Sequence, residues 1–211
     1  AISTLSTPPP GRQEVETRVV FRDEHLLQEA VTRELARGGQ VFYLHNRIAD
    51  LQPIATRLRQ LAPGARVATG HGQMTESEVE QTVRAFVRGE FDILVSTTIV
   101  ENGLDLPRAN TILIDHADQF GLAELHQLRG RVGRSAEKAF CFLMLDRDEP
   151  PGDDAKKRLK ALEEFSHLGA GFAIAMKDLE IRGAGNLLGP QQSGHIAAVG
   201  YDMYCQLLRQ A

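Results

Sequence analysis

The run Gln127-Leu-Arg-Gly-Arg-Val-Gly-Arg134 carries two arginines, Arg131 and Arg134, at a spacing of three. On a helix that spacing makes them neighbours on one face, so both guanidinium groups can be aimed at one polyphosphate. Paired forks of this kind suit the charge that develops on a phosphoryl group in transfer. Arg134 is the expected stabiliser of that charge, with Arg131 as its phosphate-contacting neighbour. A surface helix rich in arginine is the plain alternative; the two glycines and the ordered surroundings argue against it.

A second motif stands upstream, Thr97-Thr-Ile-Val-Glu-Asn-Gly-Leu-Asp-Leu-Pro107. Asp105, two residues after Gly103, is a short carboxylate behind a glycine turn, able to accept from a ribose or to brace the arginines; a loop-capping aspartate is the simpler reading of the bare pair. Thr97 and Thr98 close an apolar strand, where hydroxyls and backbone N–H groups could hold a nucleic-acid phosphate. Gly70-His71-Gly72 closes another strand, and its glycines would let the backbone approach a DNA strand closely. No Gly-x-x-x-x-Gly-Lys-Ser/Thr loop occurs, and no Asp-Glu pair ends an apolar strand to hold magnesium. This chain alone is therefore expected not to bind ATP tightly and to be inactive. Its arginines would serve a nucleotide held by another domain, and no resident metal is expected.

Composition is that of a packed globular protein, with 42% hydrophobic and 25% charged residues among 211. No run reaches the roughly 18 apolar residues of a membrane span, and no basic-then-apolar leader is visible, so a cytoplasmic protein is expected. A net charge of −4 argues against capture of DNA by the whole surface, so any nucleic-acid contact must be local. Cys141 and Cys205 lack metal-type spacing and are expected to be reduced thiols.

The elements that must hold these motifs can be read from periodicity. Residues 1–11, with Pro8-Pro9-Pro10, read as a connector from a missing upstream domain. Asp23 caps a helix with Leu26, Leu27, Ala30, Val31 and Leu35 on one face, stopped at Gly38-Gly39, and a buried strand Val41-Phe-Tyr-Leu44 follows. A helix over 48–61, a strand near 66–68, a helix opened by the capping box Thr75-Glu-Ser-Glu78, and apolar strands at 91–96, 112–114 and 139–144 come next. A helix bearing Arg131 separates the last two strands. Alternating helices and solidly apolar strands predict an α/β fold, a parallel sheet with helices on both faces. Ligands gather beyond the carboxyl ends of such strands, and the motifs above are expected there. Pro150-Pro151-Gly152 ends the sheet domain. A helix over 155–165, a second over 173–179, a loop rich in Gly and Gln, and a final helix from about Val199 form an extension. The expected division is a linker over 1–15, a lobe over 16–147 and an extension over 148–211.

The ordered set Gln40-Val-Phe-Tyr-Leu-His-Asn-Arg47, Gly70-His-Gly-Gln-Met74, the 97–107 segment and Phe120 through Ser135 resembles the second, RecA-like motor lobe of superfamily-2 helicases of the RecG-like group. Within that group, Asp178-Leu-Glu-Ile-Arg-Gly-Ala-Gly-Asn-Leu-Leu-Gly189 and Gln192-Ser-Gly194 look like the bacterial transcription-repair coupling factors. The resemblance covers essentially the whole chain. It implies an ATP-driven translocase on double-stranded DNA that pushes stalled RNA polymerase off a lesion and brings in excision-repair proteins. ATP and Mg2+ would be held mainly by a first motor lobe in cis, and polymerase and repair proteins by other domains of a longer chain. It also implies that Gln127, Arg131 and Arg134 face the nucleotide with Asp105 nearby. The extension would be the translocation motif, a helical hairpin and loop coupling hydrolysis to movement through Arg158, Arg182 and Gln192. Asn102 stands where relatives carry Thr. A RecG-type fork-remodelling motor and a non-catalytic interaction module are the alternatives.

Overall fold

The computed structural model describes residues 14–97, 106, 108–134, 137–166 and 170–181. Six strands form one sheet: β1 (Val15–Phe21), β2 (Gln40–Leu44), β3 (Val67–Gly70), β4 (Ile93–Ser96), β5 (Ala109–Ile114) and β6 (Ala139–Leu145). Their spatial order is β1-β6-β5-β2-β4-β3, and every pairing is parallel. Helices α1 (Glu24–Ala36) and α2 (Ile48–Leu61) cover one face. The other face carries α3 (Glu76–Val87), α4 (Leu122–Arg129) and a hairpin of α5 (Asp153–Glu164) and α6 (Gly171–Ile181).

The inner strands β2, β4 and β6 read as largely apolar runs because each is buried on both sides. In β6, Cys141, Leu143 and Leu145 point into the core under α4 and α5, while Phe140, Phe142 and Met144 join the opposite core. The period-2 alternation of side chains divides one apolar string between two cores. Helices start where capping predicts. Asp23 accepts from the Leu26 N–H at 2.7 Å, and Thr75 and Glu78 close a capping box on α3. Glu34, fully buried in α1, accepts from Thr111 Oγ1 at 2.5 Å and pairs with Arg37, which fixes the start of β5 against α1.

Several sequence expectations shift; the strand expected at 112–114 runs over Ala109–Ile114, that at 91–96 over Ile93–Ser96, and the helix expected over 155–165 spans Asp153–Glu164. The strand expected at 66–68 runs over Val67–Gly70, because it pairs with β4 to its end, Gly70 opposite Ser96. The second hairpin helix is longer than 173–179, spanning Gly171–Ile181. And β1 is an added strand within a region read only as the approach to the Asp23 helix. It is an edge strand carrying Glu16 and Arg18 on its open face, so it lacks the solid apolar run of the inner strands. Two of its backbone groups have side-chain partners: Val19 N–H donates to Glu163 Oε1 of α5 at 3.1 Å, and Thr17 Oγ1 donates to Val15 O at 3.2 Å. The expected connector, the Gly/Gln-rich loop, the final helix and Cys205 lie outside the described residues.

Truncation should separate the buried centre from this edge. Leu143→Ala, at a fully buried site, should lower stability by about 2–5 kcal/mol. Phe21→Ala, at a half-exposed edge position, should cost far less, as urea unfolding midpoints of the two variants would show.

Candidate functional site: two ends of one sheet

At the carboxyl end, β3 and β4 finish side by side. Thr97 N–H donates to Gly70 O at 3.2 Å, and His45 N–H donates to Ser96 O at 3.0 Å. Thr97, His71 and Gly72 are thereby brought together, as expected; Thr98 lies outside the described residues. Thr97 is only 5% exposed, so the solvent side is carried by half-exposed His71 and exposed Gly72. Among the described residues, Ser96 Oγ, Thr97 Oγ1 and His71 Nδ1 are buried atoms with no hydrogen-bond partner. Buried polar atoms are nearly always satisfied, so this end has hydrogen-bonding capacity in reserve.

Beside it, between β2 and β5, the chain leaves adjacent strands toward opposite faces, to α2 and to α4. Sequence reasoning singled out no residue here. Asp115 Oδ2 accepts from Arg22 Nη1 at 2.8 Å and from Tyr43 O–H at 3.0 Å, and lies 3.1 Å from His45 Nδ1. His45 Nε2 lies 3.0 Å from Asp50 Oδ2. With a carboxylate on each ring nitrogen, the imidazolium form satisfies both contacts. Burial works against that charge, but the hydrogen bonds to Asp115 and Asp50 prevail and raise the His45 pKa. Burial would likewise raise the Asp115 pKa, yet His45 and Arg22 hold it below the usual carboxylate range. His116 follows with φ at 47°, its N–H donating to Asp115 Oδ1 at 3.1 Å. His45, Asp115 and His116 have ligand atoms within 4.8 Å of one another, but Asp115 is already committed to Arg22 and Tyr43. The arrangement is an ion-pair network. The available signal was a charged residue directly after the apolar Ile112-Leu-Ile114.

The arginine motif is elsewhere, and not on a helix. Helix α4 stops at Arg129 with Gly130 as its cap, so Arg131 and Arg134 fall in the turn that follows rather than on one helical face. Gly133 makes the turn: its φ is +74°, a conformation that side chains resist, and an added Cβ would stand 2.8 Å from Ala139 Cβ. Its N–H reaches Ala109 O at 3.4 Å. The motif thus sits at the amino end of β5 and β6, opposite His71 and Thr97, and the expectation that all motifs share the carboxyl end is corrected. The reason is geometric: an eight-residue helix of about 12 Å returns the chain along the length of β5. Gln127 is exposed in the last turn of α4, Arg131 is half-buried and Arg134 is exposed. Gly103, Asp105, Arg182 and Gln192 lie outside the described residues.

The hairpin is fastened to α4 by two arginines. Arg158 of α5 donates through Nη2 to Asp118 O at 2.9 Å and through Nε to Phe120 O at 3.2 Å. Arg129, inside the quoted motif but given no role from sequence, is 5% exposed and donates through Nη1 to Leu162 O of α5 at 2.9 Å. Its Nη2 stands 2.9 Å from His126 Nδ1, and burial together with this neighbouring charge lowers the His126 pKa. Cys141 lies beneath, its thiol pushed up to about 12 by burial.

A protein family described as helicase conserved C-terminal domain matches residues 23–136, more than half of the chain. This chain belongs to that family. The lobe is 51% identical over 210 residues to a transcription-repair-coupling factor of Bacillus subtilis and 50% identical to one of Staphylococcus haemolyticus. Each match takes in 100% of the chain but only 18% of the relative. Among solved structures, RecG bound to a three-way DNA junction matches with TM-score 0.69 and 40% identity, over 81% of this chain and 22% of that one. A DEAD-box protein of Methanococcus jannaschii, at TM-score 0.54 and 22% identity, shares the fold. The lobe is thus a RecA-like C-terminal lobe of superfamily-2 type, and among its described residues no helix is long and apolar enough to cross a membrane.

Two measurements probe these ends. A raised His45 pKa means its stabilisation is complete below the unfolded value of about 6.5 and is lost as pH rises through the folded value. Asp115, with a lowered pKa, loses its contribution as pH falls below about 3.9. The stability difference between wild type and His45→Gln should therefore be largest near pH 5–6 and shrink on the alkaline side. At the other end, Gly133→Ala should cost about 1–3 kcal/mol in urea unfolding, from the positive φ and the clash with Ala139.

Proposed function

We propose that this lobe is the second half of an ATP-driven motor on double-stranded DNA, in a protein that displaces stalled RNA polymerase during transcription-coupled repair. The supporting observation is the arginine turn, which presents exposed Arg134 and half-buried Arg131 from a backbone pinned to both β5 and β6. Two cationic forks and the Gln127 amide form a donor set suited to an anionic polyphosphate approaching from outside the lobe. In this reading Arg134 stabilises transition-state charge, Arg131 contacts phosphate, and Gln127 faces the nucleotide with them. ATP with Mg2+, held mainly by a first lobe in cis, supplies the energy, with Gly103 and Asp105 on this lobe's side of the nucleotide.

The reserve of unpaired donors and acceptors around Ser96, Thr97 and His71 supports a nucleic-acid phosphate contact at the opposite end, with Gly70, Gly72 and Thr98 as backbone and hydroxyl contributors. The translocation motif over 148–211 follows the lobe over 16–147, with 1–15 leading in from the first lobe. Arg158, Arg182 and Gln192 then couple hydrolysis to movement. Excision-repair proteins and the polymerase would be met by other parts of a longer chain. A RecG-type fork remodeller is the second reading, favoured by the 40% identity to that structure.

The test is DNA-stimulated ATPase activity of this chain alone and after mixing with a first-lobe fragment carrying a phosphate loop. Activity is expected only in the mixture, and Arg134→Ala should reduce it about 10³-fold or more without loss of fold. Activity from the chain alone, or an active Arg134→Ala mixture, would overturn the assignment. Stalled polymerase and a three-way DNA junction offered to the full-length protein separate the two readings.

A further inference from the structure

On the sheet face that carries α1, the amino end of β6 holds a group of cations around one aromatic ring. The Arg33 guanidinium lies 4.0 Å from the centre of the Phe140 ring, with Arg37 at 5.6 Å and the Lys138 ammonium at 5.4 Å. Phe142 extends this apolar floor, its ring stacked 6.3 Å from that of Phe140. Cations within about 6 Å of a ring face are attracted by its quadrupole, so the floor holds these side chains in place.

Carboxylates account for every cation here but one. Lys138 and Arg18 share Glu16, and their hydrogen bonds hold the Glu16 pKa low. Arg37 pairs with Glu34 and donates through Nη1 to Lys138 O at 2.6 Å. Arg33 is the exception: among the described residues its Nε and Nη2 are buried atoms without a hydrogen-bond partner, and Nη1 remains as the edge toward solvent. Glu29, one turn earlier on α1 and at the usual spacing for an ion pair, is not its partner.

A guanidinium held flat on a ring and already partly stripped of water gives up little freedom and little hydration when an anion arrives. Its charge is also less screened than on an open helix. Polyphosphate does not suit these surroundings, because Glu16 stands among the exposed cations and interrupts the basic track that a nucleic-acid backbone follows. A single carboxylate on a peptide does suit them. It supplies the pairing that Arg33 lacks, with the exposed Arg18 and Lys138 side chains at the rim.

We propose that Arg33, flanked by Lys138 and Arg18, is the docking point for an acidic peptide segment borne by the longer protein outside this lobe, a carboxylate of which accepts from Arg33 Nη1 above the Phe140 ring. The relatives matched along the whole of this chain extend far beyond it, the matched part being 18% of their length, so such a protein has ample chain to supply the segment. The site is on the opposite side of β6 from the arginine turn, where Gly133 packs against Ala139, and it does not rest on the motor reading.

The test is the fluorescence anisotropy of labelled hexaglutamate titrated with this chain and, separately, with the full-length protein. The chain should bind the peptide, and Arg33→Gln should weaken binding about 5-fold or more, as loss of one partly desolvated ion pair implies. Arg84→Gln, an exposed charge on α3 across the sheet, should leave it unchanged. No binding, or equal weakening by the two substitutions, would overturn the site. Should Arg33→Gln fail to fold, Lys138→Gln decides, since it leaves Arg33 on its ring and should still weaken the peptide; unchanged binding would overturn the site as well. The full-length protein should bind hexaglutamate more weakly than the chain, because its own segment competes. Equal binding would overturn the assignment of the segment to the same protein, and a DNA duplex bound with the same dependence on Arg33 would overturn the choice of an acidic peptide.

Discussion

In a parallel sheet every strand enters at one end and leaves at the other, and each crossover must carry the chain back along the strand it has just left. This constraint decides where chemistry can sit. Residues that follow a strand directly, such as His71 after β3 and Thr97 after β4, gather at the carboxyl end. Residues that follow a crossover helix, such as Arg131 and Arg134 after α4, are delivered to the amino end. One sheet thereby keeps two sets of polar groups a strand-length apart, joined by its buried inner strands. The hairpin extends this arrangement, because it is tied to α4 at both ends of that helix.

The fold was readable from sequence wherever burial imposed a pattern. Inner strands such as Val41-Phe-Tyr-Leu44 gave unbroken apolar runs, and caps such as Asp23 and Thr75 marked helix starts, because those signals are local. The edge strand β1 gave no such run, since one of its faces carries Glu16 and Arg18, which pair with each other, and Glu16 also pairs with Lys138 far along the chain. The arginine spacing was read as helical because i and i+3 adjacency is a property of helices; the chain instead turns at Gly133 with a positive φ, close against Ala139 and Val15, a packing that sequence spacing does not reveal. Arg129 and Asp115 went without roles for a related reason. Each draws its meaning from groups outside its own segment, Leu162 O in one case and Arg22 with Tyr43 in the other.

Between β2 and β5, where adjacent strands send their connections to opposite faces, α/β sheets characteristically offer a ligand crevice. Here Arg22, Tyr43, His45 and Asp115 occupy it with their own charges. The network draws together the ends of β1, β2 and β5, and through Arg22 Nη2 it also reaches Asp146 after β6. The neighbouring pair β3 and β4 keeps its unsatisfied atoms instead. Among the described residues, one gap at this end is thus filled by its own charges and the next keeps unsatisfied polar atoms.

Within this sheet β1 comes first in chain order, and among the described strands its one neighbour is β6, pairing Val15 with Ala139 and Phe21 with Leu145. Nearly the whole lobe must leave the ribosome before that partner exists, and Glu163, which occupies the Val19 N–H, emerges later still. The β1–β6 pairing is consequently a long-range contact, closed over more than 100 residues of chain. Completion of the hairpin is thus also the step that covers part of the open edge of β1.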